Sequence, residues 1–528
     1  MEWERALALL TEMRQIGFEP DVQSYNAAII ACGNINTHLG RVLLSMTEPH
    51  TRMGGTSGGT NPNLDLELGD NMLRWKRAVG LLSEMKERGV EPDAVTWAAA
   101  ILMCGNFSQW EHALELLDEA RETEVENLAT CFTAAIAVCG KNLDWERSLE
   151  LLAEMRETCG ESDASAYAAA IYACGTAGEW KRALELLSEI RENRDGIKPD
   201  VMIYTAAITA CGKAAEWERS LELLDEARRT CEPSVITFTA AVNACAKAAE
   251  WKHALALLAE MRENDLELDV PAWRAVISAC VKAGQWKRAL GLLAEMRDAL
   301  DKLDVWSYNV VMSACGKASQ TSLALKLLAE ILETDGVEPD VVTFNTMISA
   351  HRKTSEWEPA LELLAEMRAR GIEPNLISFN LAITTCANAA QSEPALELLT
   401  EMLEQDVGPN SVSYGQAIRA CVNASKLDDA LELLDEMLGD DLEPTSGTYA
   451  AVVRACVAGS QWNRALELLD NMRERGVDQN SLDRVAEILA NQRGLYPIKD
   501  PRKAAKHLSR RPGARRPAQS GARVTRQR

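Results

Sequence analysis

Trp3-Glu4-Arg5-Ala6-Leu7-Ala8-Leu9-Leu10-Thr11-Glu12-Met13 stands at the head of the chain and returns, lightly edited, about every 35 residues. It recurs as Trp75-Lys76-Arg77-Ala78, Trp145-Glu146-Arg147-Ser148, Trp251-Lys252-His253-Ala254 and Trp462-Asn463-Arg464-Ala465. A period of this size marks a solenoid, a propeller or an array, in which small units touch only their neighbours and no single large core forms. The 528 residues are therefore expected to form one elongated body, not three or four globular domains. Few aromatics and abundant Ala, Leu and Glu favour helices over strands.

Ending each unit on the Asp or Asn of a Glu-Pro-Asp-like turn gives 94–128, 129–163, 164–200, 201–234, 235–269, 270–304, 305–340, 341–375, 376–410, 411–445 and 446–480. In 341–375, the stretch Val341-Val342-Thr343-Phe344-Asn345-Thr346-Met347-Ile348 places apolar residues at helical spacing, and Trp357, Ala360, Leu361, Leu364 and Met367 do so again. Gly371 then takes the position after a helix end and Pro374 prevents continuation. Each unit is a helical hairpin, and the fold class is all-α, an α-solenoid superhelix of about 12–13 hairpins.

The ends and one inner stretch depart from the pattern. Residues 1–21 hold only a second helix, with Trp3 and Asp21 in the places of Trp357 and Asn375, so the chain is expected to begin inside a repeat, without the first helix or any targeting peptide. Residues 22–93 form an irregular repeat region two repeat lengths long. A first helix at 22–33 is followed by a worn second helix at 39–46, a Gly- and Thr-rich loop at 53–60 and a good second helix at 75–88. An eroded repeat with a flexible loop, a functional insertion and a retained intron all fit that stretch. Residues 481–494 read as a capping helix with a serine cap, and 495–528 as a disordered basic tail.

Eleven of the fourteen cysteines, among them Cys104, Cys139, Cys174 and Cys211, occupy one place in successive repeats. Stacked helices lie about 8–10 Å apart, farther than the roughly 4.4–6.8 Å a disulfide spans, so these residues are read as small buried hydrophobes in a reducing compartment. No apolar run reaches the ~18 residues of a membrane span.

The hairpin, with Val-Val-Thr-Phe-Asn-Thr-Met-Ile in its first helix and Ala-Leu-Glu-Leu-Leu-x-Glu-Met-x-x-x-Gly-x-x-Pro-Asp/Asn in its second, closely resembles the pentatricopeptide repeat family over 1–35 and 74–480. The resemblance implies a right-handed superhelix, organellar location in chloroplast or mitochondrion, and binding of single-stranded RNA with one repeat reading one base. It assigns base reading to the fifth residue of a repeat and to the last. Those pairs are Thr133/Asp163, Ala168/Asp200, Thr205/Ser234, Thr239/Asp269, Arg274/Asp304, Asn309/Asp340, Asn345/Asn375 and Asn380/Asn410, followed by Gly415/Thr445 and Ala450/Asn480. The family's code implies guanine for the Thr/Asp repeats, uracil for Asn309/Asp340, and cytosine, or uracil less well, for the two Asn/Asn repeats. Ala98/Leu128, Ala168/Asp200, Arg274/Asp304 and Gly415/Thr445 depart from it. Asp or Asn before a helix is also a good N-cap, so the residues alone leave both roles open. The tryptophans heading second helices, such as Trp110, Trp180, Trp217 and Trp286, are read as packing groups.

A polyanionic partner has to be reconciled with a net charge of −23. Residues 495–528 hold eleven Lys or Arg against Asp500 alone, a tail of +10, which leaves −33 on the rest. The first fifteen residues of each of the twelve units from 22–36 to 446–460 nevertheless contain ten basic residues and no acid. The resemblance places this layer inside the curve, where a positive lining would suit phosphate. Lys141, Lys213, Lys247, Lys282, Lys317 and Lys353 share one place and are candidates for successive phosphates, or for completing helix C-termini.

No catalytic residues, metal or cofactor are expected. The six histidines are scattered, and neither a His-x-Glu with a following Cys-x-x-Cys nor a Gly-rich phosphate loop is present. The expected partners are single-stranded RNA and other RNA-processing proteins, the expected state a monomer, and the rival reading a peptide-binding helical scaffold.

Overall fold

The computed structural model describes residues 2–33, 64–475 except 107–108, 124, 161–162, 193–196, 301–302, 335–336 and 406, and residues 482 and 485. These contain 25 α-helices and no strand. In unit 341–375 the first helix is Val341–Thr354 and the second Trp357–Ala369. Asp340 starts the first by accepting the Thr343 amide at 2.8 Å, while the Asp340 amide donates to the Thr343 hydroxyl oxygen, a reciprocal cap. Gly371, at φ 74°, ends the second: its N–H reaches the Arg368 carbonyl and the Ile372 N–H reaches Met367, closing a left-handed C-terminal turn.

The chain divides into two compact units, Met1–Gln285 and Trp286–Arg528. Within each, first helices stack on first helices, and each second helix packs against its own first helix and the next one. The core between them is periodic. The fourth residue of each first helix from 94 onward is aromatic, from Trp97 and Phe132 through Phe344 and Phe379 to Tyr449, and none is more than 2% exposed. A cation from the preceding second helix lies over several of these rings, with Arg121 4.7 Å from the Phe132 centroid and Arg368 5.8 Å from that of Phe379. Arg368 also pairs with Glu401 of the next second helix at 2.6 Å, so one side chain spans the junction between repeats.

First helices approach closely because small residues meet. A Cβ on Gly175 would stand 2.6 Å from the Ala210 Cα, and one on Gly140 would stand 2.7 Å from the Ala173 Cβ. All fourteen cysteines are free thiols and twelve are buried. No helix among the described residues is long and apolar enough to cross a membrane.

The irregular region differs from its sequence reading in one respect. The helix expected over 75–88 is Leu64–Glu87, eleven residues longer at its start. Together with Val22–Gly33 it completes one hairpin: both helices pack on each other and on Ala94–Asn106. The partial repeat supplies the helix Glu2–Gln15, whose Leu10 joins Tyr25, Ile29, Met85 and Met103 in a shared core. The worn helix at 39–46, the loop at 53–60 and the tail at 495–528 lie outside the described residues. Of the capping helix, Leu482 and Val485 are described, both helical and buried.

Candidate nucleic-acid interface

The last residue of each repeat is the N-cap of the next first helix. Asp163, Asp200, Ser234, Asp269, Asp304, Asp340, Asn375, Asn410 and Thr445 each accept the amide three residues on, which satisfies one of the orphan donors at a helix start. The cap leaves different chemistry behind in each case. Asn375 Oδ1 accepts the amides of Ile377 and Ser378 at 3.1 Å, so its carbonyl faces the backbone and its amide nitrogen is the group left over. Asn410 repeats this with Val412 and Ser413. Asp340 uses only Oδ1, on Thr343 and on Asn309, and retains a second carboxylate oxygen. Asn480 lies outside the described residues.

The fifth residues line the seam between consecutive first helices. Asn309 is 7% exposed and donates Nδ2 to Asp340 Oδ1 at 3.2 Å, which brings the two members of one pair into contact. Its Oδ1 has no partner, and neither has the buried Oδ1 of Asn345 or Asn380, nor the Thr239 hydroxyl. A buried polar atom without a partner costs about 1–3 kcal/mol, and four such atoms fall at one structural place. The other threonines have partners: Thr133 donates to the Ala129 carbonyl, and Thr205 to Val201 with a further contact to Thr237. Ala168 is buried without a polar group, and Arg274 is half-buried on its helix.

The cations separate into two populations. On second helices, Arg121, Arg156, Arg191, Arg228, Arg297 and Arg368 pair with glutamates of the following repeat. On first helices, Lys141, Lys213, Lys247, Lys282, Lys317, Arg352, Lys353, Arg419 and Arg454 have no carboxylate partner, because no first helix contains an acid. Several reach back one repeat instead. Lys247 donates to the Lys213 carbonyl at 2.8 Å, Lys353 to that of Lys317 at 2.7 Å, and Lys141 to Asn106 Oδ1. Lys247 and Lys353 thereby complete a preceding helix end, Lys141 binds a side chain there, and all three keep further ammonium donors. Burial lowers the Lys213 pKa, with the like charge of Lys247 adding to it, and burial lowers that of Lys141. The row is thus positive and not neutralised from within.

Two groups escaped the sequence reading. Asn26 donates to Asp93 at 3.1 Å and accepts the Thr96 hydroxyl at 2.6 Å, so the residues at 22–33 and 64–93 carry a pair of the Asn309/Asp340 type. Tyr25-Asn26 and Glu91-Pro92-Asp93 were the available signals, but the inserted stretch hid that they belong to one repeat. The second is an exposed apolar side chain in the first turn of several first helices: Ile236 is 53%, Val342 57%, Ile377 59% and Val412 48% exposed, with Trp306 at the same place 41% exposed. They stand outside the buried stripe and beside the caps, a placement suited to apolar contact with base faces.

Comparison with known proteins places this geometry in a wider set. The PPR repeat family model matches residues 303–353 and 339–388, the pentatricopeptide repeat domain model 192–248, 256–318 and 397–459, and the PPR repeat model 130–158, 165–194, 236–266 and 447–477. The fold is similar to the crystal structure of the pentatricopeptide repeat protein PPR10 in complex with an 18-nt psaJ RNA element, with a TM-score of 0.64, 20% identity, and 96% of this chain and 76% of that one covered. For PPR10 from maize the TM-score is 0.52, at 20% identity over 96% and 78% of the two chains. No curated protein matches the chain.

Proposed function

The chain belongs to the pentatricopeptide repeat family, and from that footing we propose that it binds single-stranded RNA along its first helices, one base to a repeat. The observation that carries this reading is the coincidence, on one helix layer, of orphaned buried acceptors at Asn309, Asn345 and Asn380 with a row of cations lacking any carboxylate. Unstacked bases supply donors for the former, and phosphates supply charge for the latter.

The caps give the family's code a physical basis here. A repeat ending in Asp340 offers a carboxylate oxygen, which suits an imino N–H such as that of uracil. A repeat ending in Asn375 or Asn410 offers an N–H donor instead, which suits the ring nitrogen of cytosine. Repeats 305–410 then read pyrimidines, and Asn26/Asp93 adds a uracil-type repeat toward the other end. The protein acts by occupying its RNA, blocking nucleases or structure or recruiting a further factor, in a chloroplast or mitochondrion.

Selection from a randomised RNA pool tests the assignment. The full chain is expected to enrich pyrimidine runs, and exchanging Asn345 and Asn380 for Thr is expected to shift preference away from pyrimidine at two positions. Enrichment that is identical for both proteins refutes the assignment.

A further inference from the structure

Repeat 411–445 departs from the family's pattern, with Gly415 at the fifth place and Thr445 at the last. Its first helix, Ser411–Asn423, packs on Ser446–Ala458 less extensively than any other consecutive pair of first helices within either unit. Where Gly140, Gly175, Gly212 and Gly316 let neighbouring backbones meet, this helix carries Val422, a half-buried side chain that lines the seam. Gly415 puts no side chain at the place of Asn309, Asn345 and Asn380, where Thr448 Oγ1 instead comes within 2.9 Å of the Cβ position, and Gly447 puts none at that of Val342, Ile377 and Val412.

The result is a cavity of about 330 Å³ between the two helices. Its walls contain no acid and two arginines, Arg419 and Arg454. Gln416 Oε1 and Arg419 Nε are buried there without a hydrogen-bond partner. Arg419 donates only to Asn388 Oδ1, at 3.0 Å, and Arg454 has neither a hydrogen bond nor an ion pair. Burial, and then the like charge of Arg352, lower the Arg419 pKa, as expected of a cation that no protein group neutralises. A void lined by an unsatisfied amide oxygen and by guanidinium groups without a carboxylate suits a ligand that is planar, polar at its edge and anionic at one end. Its volume falls at the small end of ligand pockets, about 300–1,000 Å³.

We propose that this cavity takes a purine nucleotide of the bound strand: the base enters between the two helices beside Gly415 and Gly447 and meets the Gln416 amide, and the phosphate lies on Arg419 and Arg454. The inference rests on the RNA-binding reading and deepens it. A repeat that the family's pattern leaves blank becomes selective by size, since Asn345 and Asn380 narrow the corresponding space in repeats that take the smaller pyrimidine ring. The neighbouring site in the RNA, next to the pyrimidine run, is the one affected.

The test is selection from a randomised RNA pool with the full chain, Gly415→Asn and Gln416→Leu. A Cβ at Gly415 would approach Thr448 Oγ1 to 2.9 Å, an oxygen also held by Thr445, so Gly415→Asn requires Thr448 to shift, whereas Gln416→Leu probes the same cavity without touching that contact. The wild-type protein is expected to enrich a purine beside the pyrimidine run about tenfold over pyrimidine, the scale of a hydrophobic fill with one added hydrogen bond. Gly415→Asn is expected to replace that purine with a pyrimidine, and Gln416→Leu to weaken the preference, with the run itself retained in both. A retained run with no purine preference in the wild type, or a preference unchanged in both variants, overturns the proposal and leaves the RNA reading intact. Enrichment of no RNA overturns both.

Discussion

Asn375 and Asp340 occupy the same place in successive repeats and differ by one terminal atom, yet the cap they share makes them chemically opposite. Each turns Oδ1 to the helix start, so the remaining group is a donor in one and an acceptor in the other. The capping role is observed, and the proposed base-reading role is compatible with it in one side chain, since the cap fixes which polar group is left over. The buried thiols belong to the same scale. Desolvation pushes Cys104, Cys139, Cys174, Cys211, Cys245, Cys386 and Cys421 from the usual 9.0 up to about 11. Because the folded pKa is raised, this stabilisation is complete below the unfolded value and is lost as pH rises through the folded one. Urea midpoints are expected to fall between pH 9 and 11, by on the order of 1 kcal/mol per thiol at pH 10. Iodoacetamide at pH 8 is expected to label only the half-buried Cys159 and Cys231 of the native protein by mass spectrometry. A flat stability profile across pH 9–11 counts against the burial argument.

At the scale of the helix, stacking depends on where small residues fall. The Cys-Gly dipeptides at 139–140, 174–175, 211–212 and 315–316 recur in the sequence, but a glycine inside a helix reads there only as a weak former. Its purpose appears when the next helix arrives, since the Ala210 backbone leaves no space for a Cβ at Gly175. Gly175→Val is expected to destabilise the protein by about 1–3 kcal/mol, measured by denaturant unfolding, because overpacking displaces the backbone. The same substitution at Gly291, which has nothing within 4 Å of its Cβ position, is expected to leave stability unchanged or raise it by a few tenths of a kcal/mol, because valine is a better helix former than glycine. Equal losses at the two sites rule out close helix approach as the cause. The second helices show the converse: the Arg368–Glu401 contact is absent where Leu403 and Leu438 take the arginine's place.

Across the whole molecule, charge is sorted by layer and not by domain. The chain carries −23, yet the charged residues of its described first helices are all basic, while second-helix arginines such as Arg297 and Arg368 pair with glutamate of the next repeat. A uniformly acidic surface would repel RNA; a layered one repels it from one face and admits it to the other. Lys213→Glu with Lys247→Glu is expected to weaken binding of every RNA sequence alike. It is also expected to reduce the slope of log affinity against log salt by about one to two, as loss of two phosphate contacts requires. An unchanged slope favours a surface for peptides instead.

The hairpins, their period, their caps and the sorting of charge were legible in the residues because each depends on neighbours a few positions away along the chain. The pairing of Asn26 with Asp93 spans 67 residues and was not. Nor were the orphaned amides of Asn345 and Asn380, the contact between Asn309 and Asp340, or the cavity behind Gly415, because an unfilled space or an unmet hydrogen bond is a property of two helices brought together. The sequence by itself determined which elements form and what charge each carries. The tertiary structure decided which polar atoms remain without partners, since only packing between repeats removes water from them.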